Sequence, residues 1–289
     1  MSTPDGGQVA STDLTFSKLQ GTGNDFLFVD ARTALPPLIE KIPRPELARK
    51  LCHRQFGVGA DGLVFVETGS SPDLLKWDFY NNDGSTAEMC GNASRCMGRW
   101  AHTKLGLQNL TFETRSGLVT TKVVGEEISS HLDYLSLQFR TLDFEFDGKK
   151  FKANFVNTGV PHAVVEIEKI ASANPDDAFA AAAIRQLRFH PDAGSKGTNI
   201  TFLEKRGEDQ FATTTFERGV EDFTLSCGTG VLSAAATGLE KSKIEIKKAT
   251  VESPGGRLKV EFGKSWRGAS LQGPAVHVFD GRVPERFLK

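Results

Sequence analysis

The sequence predicts an α+β, or mixed α/β, protein of two similar lobes, and three observations carry that reading. Strand-like segments far outnumber helical ones, and they fall into two halves of the 289-residue chain. Each half holds a helical pattern opened by a Cys-Gly step: Met89-Cys90-Gly91-Asn92-Ala93-Ser94-Arg95 in the first, and Ser226-Cys227-Gly228-Thr229-Gly230-Val231-Leu232 in the second. Two sets of elements, each with enough chain for its own core, point to a duplicated plan.

Residues 1–13 are polar and rich in Gly, Ser and Thr, which reads as a disordered tail and as neither a signal peptide nor a membrane span. Residues 14–19 alternate apolar and polar as a half-buried strand does, turn through Gln20-Gly21-Thr22-Gly23-Asn24-Asp25, and re-enter an apolar run at 26–29. Residues 43–56 place Leu47, Ala48, Leu51 and Cys52 at helical spacing with Pro45 in the first turn, and Gly57 and Gly59 end the helix. Gly57-Val58-Gly59-Ala60-Asp61-Gly62 has the spaced glycines of a dinucleotide site. That site needs a strand before and a helix after, whereas here a helix precedes and strand-like Leu63-Val64-Phe65-Val66 follows, so a plain turn is expected.

Residues 77–80 read as a strand that enters the turn-rich Asn81-Asn82-Asp83-Gly84-Ser85 and delivers the chain to Cys90. Beyond it Ala93, Cys96, Met97, Trp100 and Ala101 keep the i, i+3, i+4 spacing of a helix entered by the core. Further strands are expected at 110–114, 118–124, 135–139, 151–156, 163–167, 200–204, 210–217, 244–251, 257–262, 270–271 and 276–279, with a helix at 176–188. The N-terminal lobe is assigned to 14–130 and the second to 131–273. The polar run Gly125-Glu126-Glu127-Ile128-Ser129-Ser130 serves as an exposed crossing.

Composition narrows the partners. With 39% hydrophobic and 25% charged residues the chain is of the globular kind, and 35 basic against 36 acidic residues favours neither nucleic acid nor a membrane surface. A small-molecule substrate is expected, with a homodimer left open. Cys52, Cys90, Cys96 and Cys227 are too few and scattered for a disulfide framework, which suits reduced thiols in the cytoplasm. A metal site from Cys90, Cys96 and His102 is rejected, since the third member lies too far along the helix, and no metal or cofactor is expected.

Cys90 and Cys227 would sit at helix N-termini, where unpaired N–H groups and the macrodipole favour an anion. A thiol there is expected to be brought down towards neutrality and to act as a base. The N–H groups of Gly91, Asn92, Gly228 and Thr229 could hold a carboxylate between them. If the lobes face one another, one sulfur removes a proton from a carbon while the other supplies one from the opposite side. Cys52 and Cys96 read as buried small hydrophobes.

With these residues set out, the sequence resembles diaminopimelate epimerases from Phe16 to Val283. The motifs are Phe16-Ser-Lys-Leu-Gln-Gly-Thr-Gly-Asn-Asp-Phe26, Tyr80-Asn-Asn-Asp-Gly-Ser85 with Cys90-Gly-Asn92, Phe216-Glu-Arg-Gly219, Cys227-Gly-Thr-Gly230, Pro254-Gly-Gly-Arg257 and Gly273-Pro-Ala-Val-His277. The resemblance implies lobes that each wrap a mixed sheet round a central helix, with a strand in 274–289 returning to the N-terminal lobe. It implies interconversion of LL- and meso-2,6-diaminopimelate, on the route to lysine and peptidoglycan, without pyridoxal phosphate. Cys90 and Cys227 match the acid/base pair. Asn24, Asn81, Asn199, Glu217 and Arg218 match substrate-binding positions, and His162 and Glu217 match residues that set the protonation of the cysteines.

Three departures stand out: Val160 where the family commonly has Asn, Gly62 where some members have Gln, and a run from Gly219 to Cys227 one residue longer than usual. The competing readings are a proline or hydroxyproline racemase, a relaxed-specificity amino-acid epimerase, and an inactive binding protein. Arg218, Asn81 and Asn199 would be wasted on proline, which has no distal carboxylate.

Overall fold

A computed structural model describes residues 12–240 and 247–289. The expected tail therefore lies outside the described residues apart from its last two, as does the start of the strand expected at 244–251. The first half runs β1 (Leu14–Gly21), β2 (Asn24–Asp30), α1 (Pro37–Lys41), α2 (Arg44–Cys52), β3 (Gly62–Thr68), β4 (Leu75–Asn81), α3 (Gly91–Leu105), β5 (Asn109–Thr114), β6 (Gly117–Val124) and β7 (Glu127–Ser136). The second runs β8 (Phe139–Phe146), β9 (Lys149–Asn157), β10 (Pro161–Glu166), α4 (Ala178–Leu187), β11 (Asn199–Lys205), β12 (Gln210–Glu217), β13 (Asp222–Thr224), α5 (Gly228–Leu239), β14 (Lys247–Ser253), β15 (Gly256–Phe262) and β16 (Arg267–Pro274). Then β17 (Val276–Val283) and α6 (Glu285–Leu288) close the chain.

Hydrogen bonds join the strands into one ribbon, β17-β1-β2-β3-β4-β5-β6-β7-β16-β15-β14-β12-β11-β10-β9-β8, with β13 paired to β12. The two halves repeat each other. β2–β3 and β4–β5 are parallel, as are β10–β11 and β12–β14, while the remaining ladders are antiparallel. Each ribbon half makes its parallel crossover through a helix, α3 before β5 and α5 before β14. The β7–β16 ladder lies between the halves, and β17 brings the chain back to β1.

The enclosed helices are buried nearly all round, as apolar-sided helices inside a sheet must be. α3 hides Gly91 through Gly98, Trp100 and Ala101, and ends at Gly106, whose φ of 71° is the left-handed cap that glycine adopts without strain. α5 hides Gly228 through Thr237 and Leu239, its small residues letting strands approach closely. The outer faces of the two sheets carry separate apolar clusters, covered by α2 in the first half and α4 in the second.

The run expected to be an exposed crossing differs. Only Gly125 and Glu126 turn; Ile128, Ser129 and Ser130 are buried in β7, because each of its edges pairs, with β6 on one side and β16 on the other. Residues 130 and 131 thus fall inside a strand, and the chain leaves it at Leu137-Gln138, within the segment expected to be a strand at 135–139. Polar residues misled here because Ser129 and Ser130 satisfy their backbone in ladders and their hydroxyls locally, Ser130 with Ser94 at 3.0 Å.

At Gly98 α3 packs closely on the sheet: a Cβ there would lie 2.7 Å from Thr121 Oγ1 and 2.9 Å from Ile128 Cγ2. Gly98→Val should therefore destabilise the protein by about 1–3 kcal/mol through overpacking. In urea denaturation the double variant with Ile128→Ala, which removes that Cγ2, should cost less than the sum of the two singles; additive costs would place the strain elsewhere.

Candidate active site

The site forms where the first turns of α3 and α5 meet. Cys90 and Cys227 are the N-caps, both in extended conformation, and neither side chain is spent on capping. The glycine after each allows the close approach: a Cβ on Gly228 would lie 3.1 Å from the Gly91 Cα, and one on Gly91 would lie 2.9 Å from Leu271. Two helix starts, and the N–H groups of Gly91, Asn92, Gly228 and Thr229, are thereby brought to one place.

Side chains stitch the junction. Asn92 Nδ2 donates to the Ser226 carbonyl at 2.9 Å and to Asn24 Oδ1 at 3.3 Å, and Thr22 Oγ1 donates to Ser226 Oγ at 2.9 Å. The Pro254-Gly-Gly-Arg257 motif closes the same seam: Gly255 donates to the Leu225 carbonyl at 2.7 Å, and a Cβ on it would stand 1.9 Å from the Thr22 oxygen. Sequence reasoning used Asn92 only for its backbone, and missed Thr22, Ser226 and Arg95. Their signal was the polar residue types inside helical and strand patterns whose faces are otherwise apolar.

The two sulfurs have unlike surroundings. Cys90 is half-buried, with its thiol 3.6 Å from Asn24 Oδ1, while the Asn24 amide donates to Asp61 at 2.6 Å. Cys227 is buried against the carboxylate of Glu217 and lies 3.4 Å from the Thr229 hydroxyl. Glu217 also accepts from Thr224 Oγ1 at 2.5 Å. Its negative charge acts on both thiols.

His162 reaches Cys227 through Thr229. Its Nε2 stands 2.9 Å from Thr229 Oγ1 and 3.2 Å from Asn199 Nδ2, and its Nδ1 is 2.8 Å from Thr201 Oγ1. The proton can be placed. The backbone N–H of Arg218 can only donate, and it donates to Asn199 Oδ1 at 2.8 Å, so the Asn199 amide turns its NH₂ to His162. Nε2 is then the acceptor, and Nδ1 carries the proton towards Thr201. Burial, and then the Arg218 charge, push His162 down to about 3, which keeps it neutral.

Arg218 is held by its backbone and by Nη1 on the Gly197 carbonyl at 3.3 Å; burial, then the Arg188 charge, lower its pKa. Asn81 ends β4, with its amide donating to Ser85 Oγ at 3.0 Å. Val160 occupies the position before β10 that Asn24 occupies in β2, relative to the ladder partners His162–Asn199 and Phe26–Gly62, so the repeat has an amide on one side only. At Gly62 a Cβ would lie 2.5 Å from the Phe79 ring, which fills the space a longer side chain would need. Between Gly219 and Cys227 the chain makes an exposed turn at Glu221, φ 56°, whose carboxylate accepts from Arg188 at 2.6 Å and from the Gly219 N–H at 2.8 Å.

One expectation is reversed. The thiols are not brought down towards neutrality: burial pushes Cys90 up to about 11 against the pull of the Ala93 and Asn92 N–H groups. Cys227 is pushed well above its ordinary value, first by burial and then by Glu217, against Thr229 and the Gly230 N–H. Desolvation of a sulfur anion outweighs a few oriented dipoles. Burial, and then the Asp61 charge, raise Glu217 as well. Among the described residues no group of three or more His, Cys, Asp or Glu side chains is placed to hold a metal ion, and no helix is long and apolar enough to cross a membrane.

A family model described as diaminopimelate epimerase matches residues 16–133 and 154–278. The diaminopimelate epimerase of Aquifex aeolicus (strain VF5) is 36% identical, covering 96% of this chain and 100% of its own, and that of Archaeoglobus fulgidus is 34% identical, covering 93% and 95%. Among solved structures, a hydroxyproline epimerase from Agrobacterium vitis superposes with a TM-score of 0.68 at 13% identity, covering 95% of this chain and 93% of that one. A phenazine biosynthesis protein of the PhzF family from Enterococcus faecalis gives 0.65 at 14%, covering 94% and 99%. At these identities the likeness is one of fold.

Because the raised pKa values keep both sulfurs as thiols at neutral pH, alkylation of Cys90 by iodoacetamide should be slow at pH 7. It should rise about tenfold per pH unit through pH 9, the thiolate being the reacting form. Peptide mass spectrometry resolves the labelled residue; a rate that levels off below pH 8 would contradict the burial argument.

Proposed function

The chain belongs to the diaminopimelate epimerase family, and from that premise we propose that it interconverts LL- and meso-2,6-diaminopimelate by moving a proton between Cys90, the α-carbon and Cys227. The observation that carries this reading is the meeting of two cysteine-capped helix N-termini through Gly91 and Gly228. A carboxylate on the N–H groups of Gly91, Asn92, Gly228 and Thr229 would set the α-carbon between two sulfurs.

One sulfur, as thiolate, takes the α-proton; the carbanion takes a proton from the other thiol on its opposite face. The negative charge thereby passes from one sulfur to the other, and the configuration inverts. Removal of an α-proton without an iminium sink leaves charge on the carboxylate, where preorganised donors are worth most. Excluding water at the closed junction strengthens each of these interactions.

Since both thiols begin protonated, one must lose a proton when substrate arrives. Glu217 lies against Cys227 and has a raised pKa, so it is suited to accept that proton, and the thiols and carboxylate titrate as a coupled set. His162, neutral and accepting at Nε2, orients the Thr229 hydroxyl beside Cys227. Asn24, Asn81, Asn199 and Arg218 are the groups we assign to the rest of the substrate, with Val160 leaving one contact fewer at its distal end. The four free cysteines suit a cytoplasmic setting, and a homodimer remains part of the proposal.

The test is α-deuterium uptake from D₂O with LL- and meso-diaminopimelate, beside proline and lysine. Wild type should exchange both diaminopimelate isomers and not proline. Cys90→Ser and Cys227→Ser should keep the native circular dichroism and lose about 10²–10⁴-fold or more of the interconversion rate. Binding of diaminopimelate without exchange would make the chain a binding protein, and preferential exchange of proline would overturn the substrate.

A further inference from the structure

The guanidinium beneath the first turn of α3 has no part in the proton transfer set out above. Arg95 is 0% exposed. Its donors all end on neutral acceptors: Nη1 on the Gly91 carbonyl at 3.1 Å, Nη2 on Asn92 Oδ1 at 2.8 Å and Thr22 Oγ1 at 3.2 Å, and Nε on the Pro274 carbonyl at 3.4 Å. Among the described residues no carboxylate pairs with it. Glu127, the carboxylate whose field it feels, is engaged by Lys259 at 3.0 Å and Gln272 at 2.6 Å. Burial lowers its pKa to about 10, so it is charged at neutral pH.

A buried charge with no counter-ion is costly, and a fold that keeps one gains when an anion comes near. Arg95 acts on two sulfurs, Cys90 and Cys96. Cys96 is wholly buried in the core and its pKa is driven far up by desolvation, which leaves Cys90 as the sulfur that can carry charge. The groups facing Cys90 are Glu217 and Cys227 from the second half, Asn24 from β2, and the Asn92 and Ala93 N–H groups, Cys96 and Arg95 from α3. Glu217 opposes a thiolate there, and Arg95 favours one.

We propose that Arg95 is the fixed counter-charge of the site: it stabilises the Cys90 thiolate and a carboxylate seated on the N–H groups of Gly91 and Asn92. It also holds Asn92 in place across the junction. It is a positioning residue, since it acts through Cys90 and Asn92. Its purpose rests on the two-cysteine reading, but the thiol can be followed with no substrate present, so the two ideas fail separately. Loss of diaminopimelate exchange by wild type would sink the substrate assignment and leave the thiol measurement standing.

The experiment compares Arg95→Met and Arg95→Lys by the rate of Cys90 alkylation between pH 7 and pH 9, with circular dichroism reporting the fold. In the neutral variant the profile should move up by about one pH unit or more, a tenfold or greater fall in rate at pH 8. Arg95→Lys keeps a cation and should stay within about threefold of wild type. In both, KM and kcat should change together where the Asn92 amide is displaced. Where Arg95→Met does not fold, Arg95→Gln, which keeps a donor for Asn92 and Thr22, supplies the neutral comparison. A folded neutral variant with an unmoved profile overturns the proposal, and so does a lysine variant that shifts as far as the neutral one.

Discussion

Everything in this molecule depends on two helices meeting end to end inside a continuous sheet. Helix N-termini repel one another through their dipoles and normally face water, so holding two together requires strands that enclose both and residues at the contact with no bulk. The ribbon supplies the first requirement, with the β7–β16 ladder joining its halves and β17 returning to β1. Gly91 and Gly228 supply the second. Thr22, Asn92, Ser226 and Gly255 then spend their polar groups on the seam rather than on solvent.

That closeness has an electrostatic consequence. Packing the helix starts together buries the cysteines, and for Cys90 the rise from 9.0 to about 11 corresponds to roughly 3 kcal/mol against the thiolate. On the two-cysteine reading proposed above, the thiolate is thus withheld until bound substrate shifts the balance at the junction. A resting thiol is also a poor nucleophile, which spares the site from oxidation and alkylation. Raised thiol pKa values and efficient proton transfer are compatible only if nearby groups shift the balance on binding. Glu217 is placed to do so at Cys227.

The parts of this arrangement that were legible in the sequence are those written in local pattern. Cys90 and Cys227 show themselves because a Cys-Gly step opens each helical period, and α4 shows itself by an alanine run behind Asp177, which caps it by accepting from the Ala180 N–H at 3.0 Å. What was not legible depends on residues distant in the chain. Helix position alone argued for lowered thiol pKa values, and only the packing of one half on the other reveals that burial wins. Ser129 and Ser130 look like a crossing until their strand is seen to be paired on both edges. Arg95 looks like a helix-surface cation until Thr22, 73 residues away, is seen to bond it.

The two halves share a plan but are unlike at the site. In the ladders, Phe26 opposite Gly62 corresponds to His162 opposite Asn199, and Asn81 at the end of β4 corresponds to Glu217 at the end of β12. An apolar pair and an amide in one half thus stand where the other has an imidazole, an amide and a carboxylate. A symmetric pair of lobes would give two thiols of equal acidity and no preference for where the proton rests. An α-carbon bearing one carboxylate, one ammonium and one long side chain has no two-fold axis of its own, which fits the proposed division in which the second half holds the proton-handling groups and the first provides Asn24 and Arg95. On the proposed two-cysteine reading, the cysteines stay paired because inversion needs a proton donor and acceptor on opposite faces, and their surroundings diverge because a proton must begin on a definite side.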